Sequence, residues 1–193
     1  MKTPTHALIG HACVRLFRWH PGSARLVIVG AVAPDLPLAI AWTWVAAAVT
    51  LREGQFSQPA IQAAFDPIYF SNGWVSSLHN LLHSPTSLAL LAALAAVLLV
   101  RARRWRERVF AFLAGALTHA LADILSHVGD GPLVLWPLET TLRIDGPFSH
   151  WNPNYGGVWC TALEITIWAL WCLTSLRKRG PVLGRARGRL STN

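Results

Sequence analysis

The stretch VFAFLAGALTHALADILSH, residues 109–127, decides how the rest of the chain is read. It is almost wholly apolar, it follows the basic run RARRWRER at 101–108, and a Gly/Pro-rich segment comes after it. An apolar run of this length with a basic flank reads as a helix in a membrane. Inside it stand His119, Asp123 and His127, at i, i+4 and i+8. That spacing puts all three on one helix face. An ionisable group within such a segment is costly, so it marks a functional site by default.

Outward from this segment the pattern repeats. Residues 4–17 form a first helical segment, with Thr3 as N-cap and Pro4 at the first helical position. Residues 24–51 form a second, interrupted at Pro34-Asp35-Leu36-Pro37, where two prolines imply a kink that frees backbone groups. Residues 84–100 form a third, opened by Ser84-Pro85; residues 109–127 are the fourth and 158–176 the fifth. Residues 52–78 read as an external loop or surface helix, and 101–108 as a basic turn. The expected fold is an all-α, polytopic membrane helix bundle of about five helical segments over residues 1–176. A basic, disordered cytoplasmic tail is expected at 177–193.

Composition agrees. Hydrophobic residues make up 53% of the 193 and charged residues 13%, against about 25% charged in a soluble domain. Ten tryptophans suit membrane interfaces, and twelve prolines are tolerable in spanning helices. The net charge of +8 is carried by arginines clustered beside apolar segments, which favours anionic lipid heads over nucleic acid. The partner expected is therefore membrane lipid and not nucleic acid. The N-terminal stretch, broken by His6, His11 and Arg15, makes a poor signal peptide. Cys13, Cys160 and Cys172 show no metal-knuckle spacing and read as packing residues. Basic clusters at 15–25, 101–108 and 177–189 share one side if the segments between them form hairpins. The basic loops and tail are then cytoplasmic, and 52–78 and 129–157 lie outside.

Six polar groups from the five segments fall in one layer. His6, Asp35, His83, His119, Asp123 and Glu164 each lie 10 to 18 residues from a basic cluster, roughly 15–27 Å along a helix. His79 and His83 repeat the i, i+4 spacing. Imidazoles and carboxylates one turn apart can converge on one ion, and a His/Asp set suits zinc first, with manganese or iron as alternatives. Each residue also has a purely structural reading. Asp35 can cap the broken backbone, Asp123 can bond His119, and Glu164 can pair with a basic residue of another helix. His127 can sit at a helix C-terminus for its dipole, His79 can be solvated, and His150 belongs to an exposed loop that could reach over the site.

The order of Thr5-His6, Pro34-Asp35, His79 to His83-Ser84, and His119-Ala-Leu-Ala-Asp123 followed by Leu135-Trp136-Pro137 resembles the bacterial membrane-bound metal-dependent hydrolases, an inner-membrane family. The resemblance covers about residues 3–140. It is more distantly similar to zinc-dependent phospholipase C, a soluble all-helical enzyme. It implies a metal set of His6, Asp35, His83, His119 and Asp123, with Asp35 and Asp123 as catalytic candidates and His79, His127 and Glu164 as additional ones. The family often carries an Arg after the first histidine of the middle motif and a Thr before the second; Asn80 and Leu82 stand there in this chain. Whether His79 or His83 is the ligand stays open on that ground.

The function expected is hydrolysis by a metal-activated water, on a lipid or phosphoester, in the inner (cytoplasmic) membrane. A small metal-ion or proton transporter, or a structural protein with a polar packing network, is the alternative. No GxSxG elbow or phosphate-binding glycine loop points elsewhere.

Overall fold

The computed structural model describes residues 1–71 and 73–178. It is all-helical. Among the described residues there are eight α-helices: α1 (Thr3–Leu16), α2 (Pro21–Val32), α3 (Leu36–Glu53), α4 (Gln58–Ser71), α5 (Gly73–His83), α6 (Pro85–Leu98), α7 (Arg103–Ser126) and α8 (Gly157–Lys178). Two short 3-10 turns, Ala33–Asp35 and Pro153–Tyr155, complete them. The helices outnumber the five expected segments for two physical reasons. The Pro34/Pro37 pair breaks the second segment into α2 and α3, as two missing N–H donors within four residues require. Residues 52–78 are mostly helical: Ile61, Phe65 and Tyr69 recur at i, i+4, i+8, and Ile61 is fully buried. The basic stretch 101–108 is not a turn throughout, because α7 already begins at Arg103. The tail at 179–193 lies outside the described residues.

Among the described residues, three helical stretches are long and apolar enough to cross a membrane: Pro21–Glu53, Arg103–Ser126 and Gly157–Leu176. α5 and α6 meet at 67° and together would make a fourth, broken span. Large side chains face outward on these stretches, with Trp44 75%, Val97 71% and Trp159 80% exposed. The interior holds the polar groups instead: His6, His119 and Ser126 are fully buried. Lipid accepts apolar surface at no cost, so here it is the polar groups that must be enclosed.

The most extensive packing is between α2 and α7, and glycines set it. A Cβ on Gly115 would lie 2.0 Å from the Val27 carbonyl oxygen, and one on Gly30 would lie 2.0 Å from that of Phe112. Only hydrogen at both positions lets the two backbones touch, the small-residue packing of membrane helices. The same approach brings the Ala31 carbonyl within reach of His119, one turn beyond Gly115.

Ser84, fully buried, caps α6 by accepting from the Ser87 N–H. Its hydroxyl also reaches the carbonyls of Val134 and Trp136 at 3.0 and 2.9 Å, tying the segment after α7 to the α5–α6 junction. Thr3 was the expected cap of α1. Lys2 occupies that position without a side-chain bond, and the Thr3 hydroxyl is turned to Asp35 instead.

Candidate metal centre

The site forms where five pieces of chain meet: the start of α1, the 3-10 break, the C-terminal turn of α5, the last two turns of α7, and the segment between α7 and α8. One ligand atom from each of Asp35, His83, His119 and Asp123 falls within 4.8 Å of the others. His83, His119 and Asp123 are buried, whereas the Asp35 side chain is 19% exposed. Each arrives for a local reason. The proline break presents Asp35 at the head of α3. The i, i+4 spacing on α7 stacks His119 below Asp123. The sharp turn at Ser84 leaves His83 as the last residue of α5.

The donor set fits a cation. Nδ1 of His119 is 2.8 Å from the Ala31 carbonyl. A carbonyl only accepts, so the proton sits on Nδ1, and Nε2 is the nitrogen left to face the site. Nε2 lies 3.2 Å from Asp123 Oδ2 and 3.3 Å from Asp35 Oδ1. It has hydrogen-bond geometry to neither, and it is buried without a partner. A ring nitrogen enclosed between two carboxylates at these distances needs positive charge, either a second ring proton or a metal ion. Nε2 of His83 is 2.8 Å from Asp123 Oδ2, and its Nδ1 is buried without a partner.

The other expected residues divide. His6 is brought in: its Nε2 lies 3.0 Å from Asp123 Oδ1, and its ring stacks on His119 with centroids 3.6 Å apart. His79 is buried beside His83, ring centroids 4.1 Å apart, but lies outside the group of four. His127 donates from Nδ1 to the Asp123 carbonyl at 2.9 Å. Glu164 is held elsewhere: it is buried, accepts from the Lys2 N–H at 3.0 Å, and pairs with Lys2 Nζ at 3.3 Å. Asn80, standing where the resembled family often has Arg, is buried and structural; its Oδ1 accepts from the Leu133 N–H.

A cavity of about 520 Å³ leads to the centre. Met1 to Pro4, Asp35, His79, His83, Asp123, His127, Asp130 and His150 make its polar side; Leu38, Ala39, Trp42 and Phe65 make its apolar wall. Trp42 and Phe65 pack edge to face, and Tyr69 bridges from Phe65 to His79. Sequence reading missed Tyr69, whose hydroxyl donates to the Asp130 carbonyl at 3.1 Å. The i, i+4, i+8 run of Ile61, Phe65 and Tyr69 was the signal for it. His150, read as a loop residue, lines the cavity in contact with His127. Burial, then the Met1 ammonium and His127, push its imidazole down to about 4.

No curated protein and no solved structure matches the chain. A family model described as YdjM inner membrane protein matches it over residues 1–185. With a helical bundle, membrane-length apolar helices and that match over nearly its whole length, the chain belongs to the YdjM family of inner membrane proteins.

Proposed function

We propose that the protein is a membrane-bound metal-dependent hydrolase. The observation that carries this is the convergence of Asp35, His83, His119 and Asp123 within 4.8 Å at the base of a cavity. A divalent ion held there, zinc before manganese or iron, supplies a water acidified toward neutral pH and polarises a phosphoryl or acyl oxygen. His83, His119 and Asp123, all enclosed, hold the ion, His119 oriented by its bond to the Ala31 carbonyl, and His6 backs Asp123 from its other side. Asp35 is the most exposed of the four, its side chain 19% exposed, and it accepts the proton given up by the attacking water. The Thr3 hydroxyl, donating to Asp35 Oδ2, aims that carboxylate.

The cavity walls favour an amphiphile. Trp42, Phe65 and Leu38 offer a path for an acyl chain, while Lys2 and the histidines face a polar head. A phosphoester of a membrane lipid, or a lipid ester, is the substrate class this supports. The residues lining the cavity come from the ends of helices opposite the basic clusters. With those clusters cytoplasmic, as the distribution of arginines favours, the site opens from the outer half of the bilayer. An opening on one side supports turnover over conduction, which needs access from both.

The test is metal content of detergent-purified protein, wild type beside His119→Ala/Asp123→Ala, followed by hydrolysis of phospholipid vesicles. At least one divalent ion per chain, lost in the folded double variant together with hydrolysis, is expected. No bound ion after reconstitution with zinc and manganese would overturn the reading and leave a polar network that holds helices in register.

A further inference from the structure

The first turns of α2 and α7 lie side by side at the end of the bundle away from the metal centre. Arg104 and Asp123 are 19 residues apart on α7, about 28 Å of helix. Two adjoining cavities open at this end, and they share Gly22 and Arg108. One, of about 490 Å³, is an apolar groove. Its α7 wall is Trp105, Arg108, Val109 and Phe112, at i, i+3, i+4 and i+7 on one helix face. Its α2 wall is Gly22, Arg25 and Leu26, at i, i+3 and i+4. Leu26 and Phe112 stand deeper along their helices than Gly22 and Trp105, so the groove runs from the basic end toward the middle of the spans.

The other cavity, of about 360 Å³, is a polar notch lined by His20, Ser23, Arg104, Glu107 and Arg108. Its charge is unbalanced. Arg103 Nε bonds the one carboxylate there, Glu107, at 2.8 Å. Among the described residues no carboxylate lies within ion-pair distance of Arg25, Arg104 or Arg108. The Arg108 guanidinium lies 5.1 Å from the ring centroid of Trp105, which holds it at the mouth of the groove. His20 Nδ1 accepts from the Gly22 N–H at 3.2 Å. Its ring proton is therefore on Nε2, which is left as a donor. At Gly22, where notch and groove meet, no side chain divides them.

We propose that this place binds an anionic phospholipid of the bilayer, with its phosphate between Arg104 and Arg108 and one acyl chain in the groove past Leu26 and Phe112. The notch by itself would suit any phosphate and the groove any hydrocarbon. Joined, they fit a molecule that carries both. Guanidinium forks pair with phosphate oxygens two at a time. Arg25, on the groove wall, adds a third positive charge. Trp105, 61% exposed, is the kind of ring that anchors a helix at headgroup depth. A zwitterionic lipid brings its own cation to the same arginines, so it gains less from them. The site is separate from the metal centre and stands whether or not that centre holds an ion. A lipid bound here spans α2 and α7, the pair whose contact orients His119.

The experiment offers delipidated, detergent-solubilised protein dioleoylphosphatidylglycerol or dioleoylphosphatidylcholine in mixed micelles, and counts retained lipid by native mass spectrometry. Saturable binding of one phosphatidylglycerol per chain, tighter than phosphatidylcholine, is expected in wild type. Arg104→Gln/Arg108→Gln should weaken phosphatidylglycerol about 30-fold and leave phosphatidylcholine unchanged. Arg15→Gln/Arg101→Gln removes as much charge from exposed arginines outside both cavities and should keep the wild-type affinity. Equal affinity of wild type for the two lipids would overturn the proposal. So would an equal loss in the two double variants, which is what diffuse attraction to a basic surface gives. Soluble glycerol phosphate binding as tightly as phosphatidylglycerol would also overturn it, since the groove would then add nothing. The wild-type comparisons decide the matter even where a variant does not fold.

Discussion

Replacing Gly115 by alanine tests whether the close approach of α2 and α7 is what builds the site. The new Cβ would start 2.0 Å from the Val27 carbonyl oxygen and 2.8 Å from the Ala31 amide nitrogen. Ordinary contact begins near 3.4 Å, so α2 must retreat by about 1.4 Å along that line. The Ala31 carbonyl moves with it, and its 2.8 Å bond to His119 Nδ1 lengthens by up to the same amount, to about 4 Å at most, which weakens or breaks it. Overpacking of this kind costs about 1–3 kcal/mol. A buried ring N–H left without its acceptor adds about 1–3 kcal/mol. Alanine's better helix propensity returns about 1 kcal/mol. The net expectation is a loss of about 1–5 kcal/mol, a large share of the stability of a typical domain. Unfolding in mixed micelles measures it, with metal content read on the same samples. Gly73→Ala is the control, since its Cβ meets nothing within 4 Å among the described residues. The expected result is a destabilised Gly115→Ala protein that binds metal more weakly because His119 is no longer oriented. Unchanged stability and unchanged metal affinity would refute the claim that glycine contact positions His119.

Two further outcomes follow from neighbouring features. Ser84→Ala removes both the cap of α6 and the hydroxyl that reaches the Val134 and Trp136 carbonyls; a loss of about 2–3 kcal/mol is expected, and a midpoint equal to wild type in micelle unfolding would contradict it. His150 takes up a proton near its ordinary 6.5 in the unfolded chain but only near 4 in the folded one. Between those values the unfolded chain holds more protons, so metal-free protein should lose stability as pH falls from about 6.5 toward 4, and His150→Gln should flatten that slope in melts recorded against pH; parallel slopes would count against it.

What sequence alone determined about this protein is the class of fold and the central members of the polar cluster, Asp35, His83, His119 and Asp123. Apolar runs of membrane length can only become helices in lipid, where every backbone N–H and C=O must be paired within the segment. Ionisable groups are so costly there that Asp35, His119 and Asp123 stood out without any structure, and the i, i+4 spacing on α7 already placed two of them on one face. Tertiary structure decided the rest, because it depends on how each helix is rotated and how near its neighbour comes. Glu164 sits in the same apolar register as the others, yet the turn of α8 gives it to Lys2. His150 carries no periodic signal, yet the chain after α7 folds back over Ser126 and brings it to the cavity wall. Gly30 and Gly115 look unremarkable in their helices; their role exists only because a partner backbone lies where a side chain would be. Which oxygen of Asp123 faces which histidines is likewise a matter of packing between α1, α5 and α7, contacts remote in sequence that no local spacing encodes.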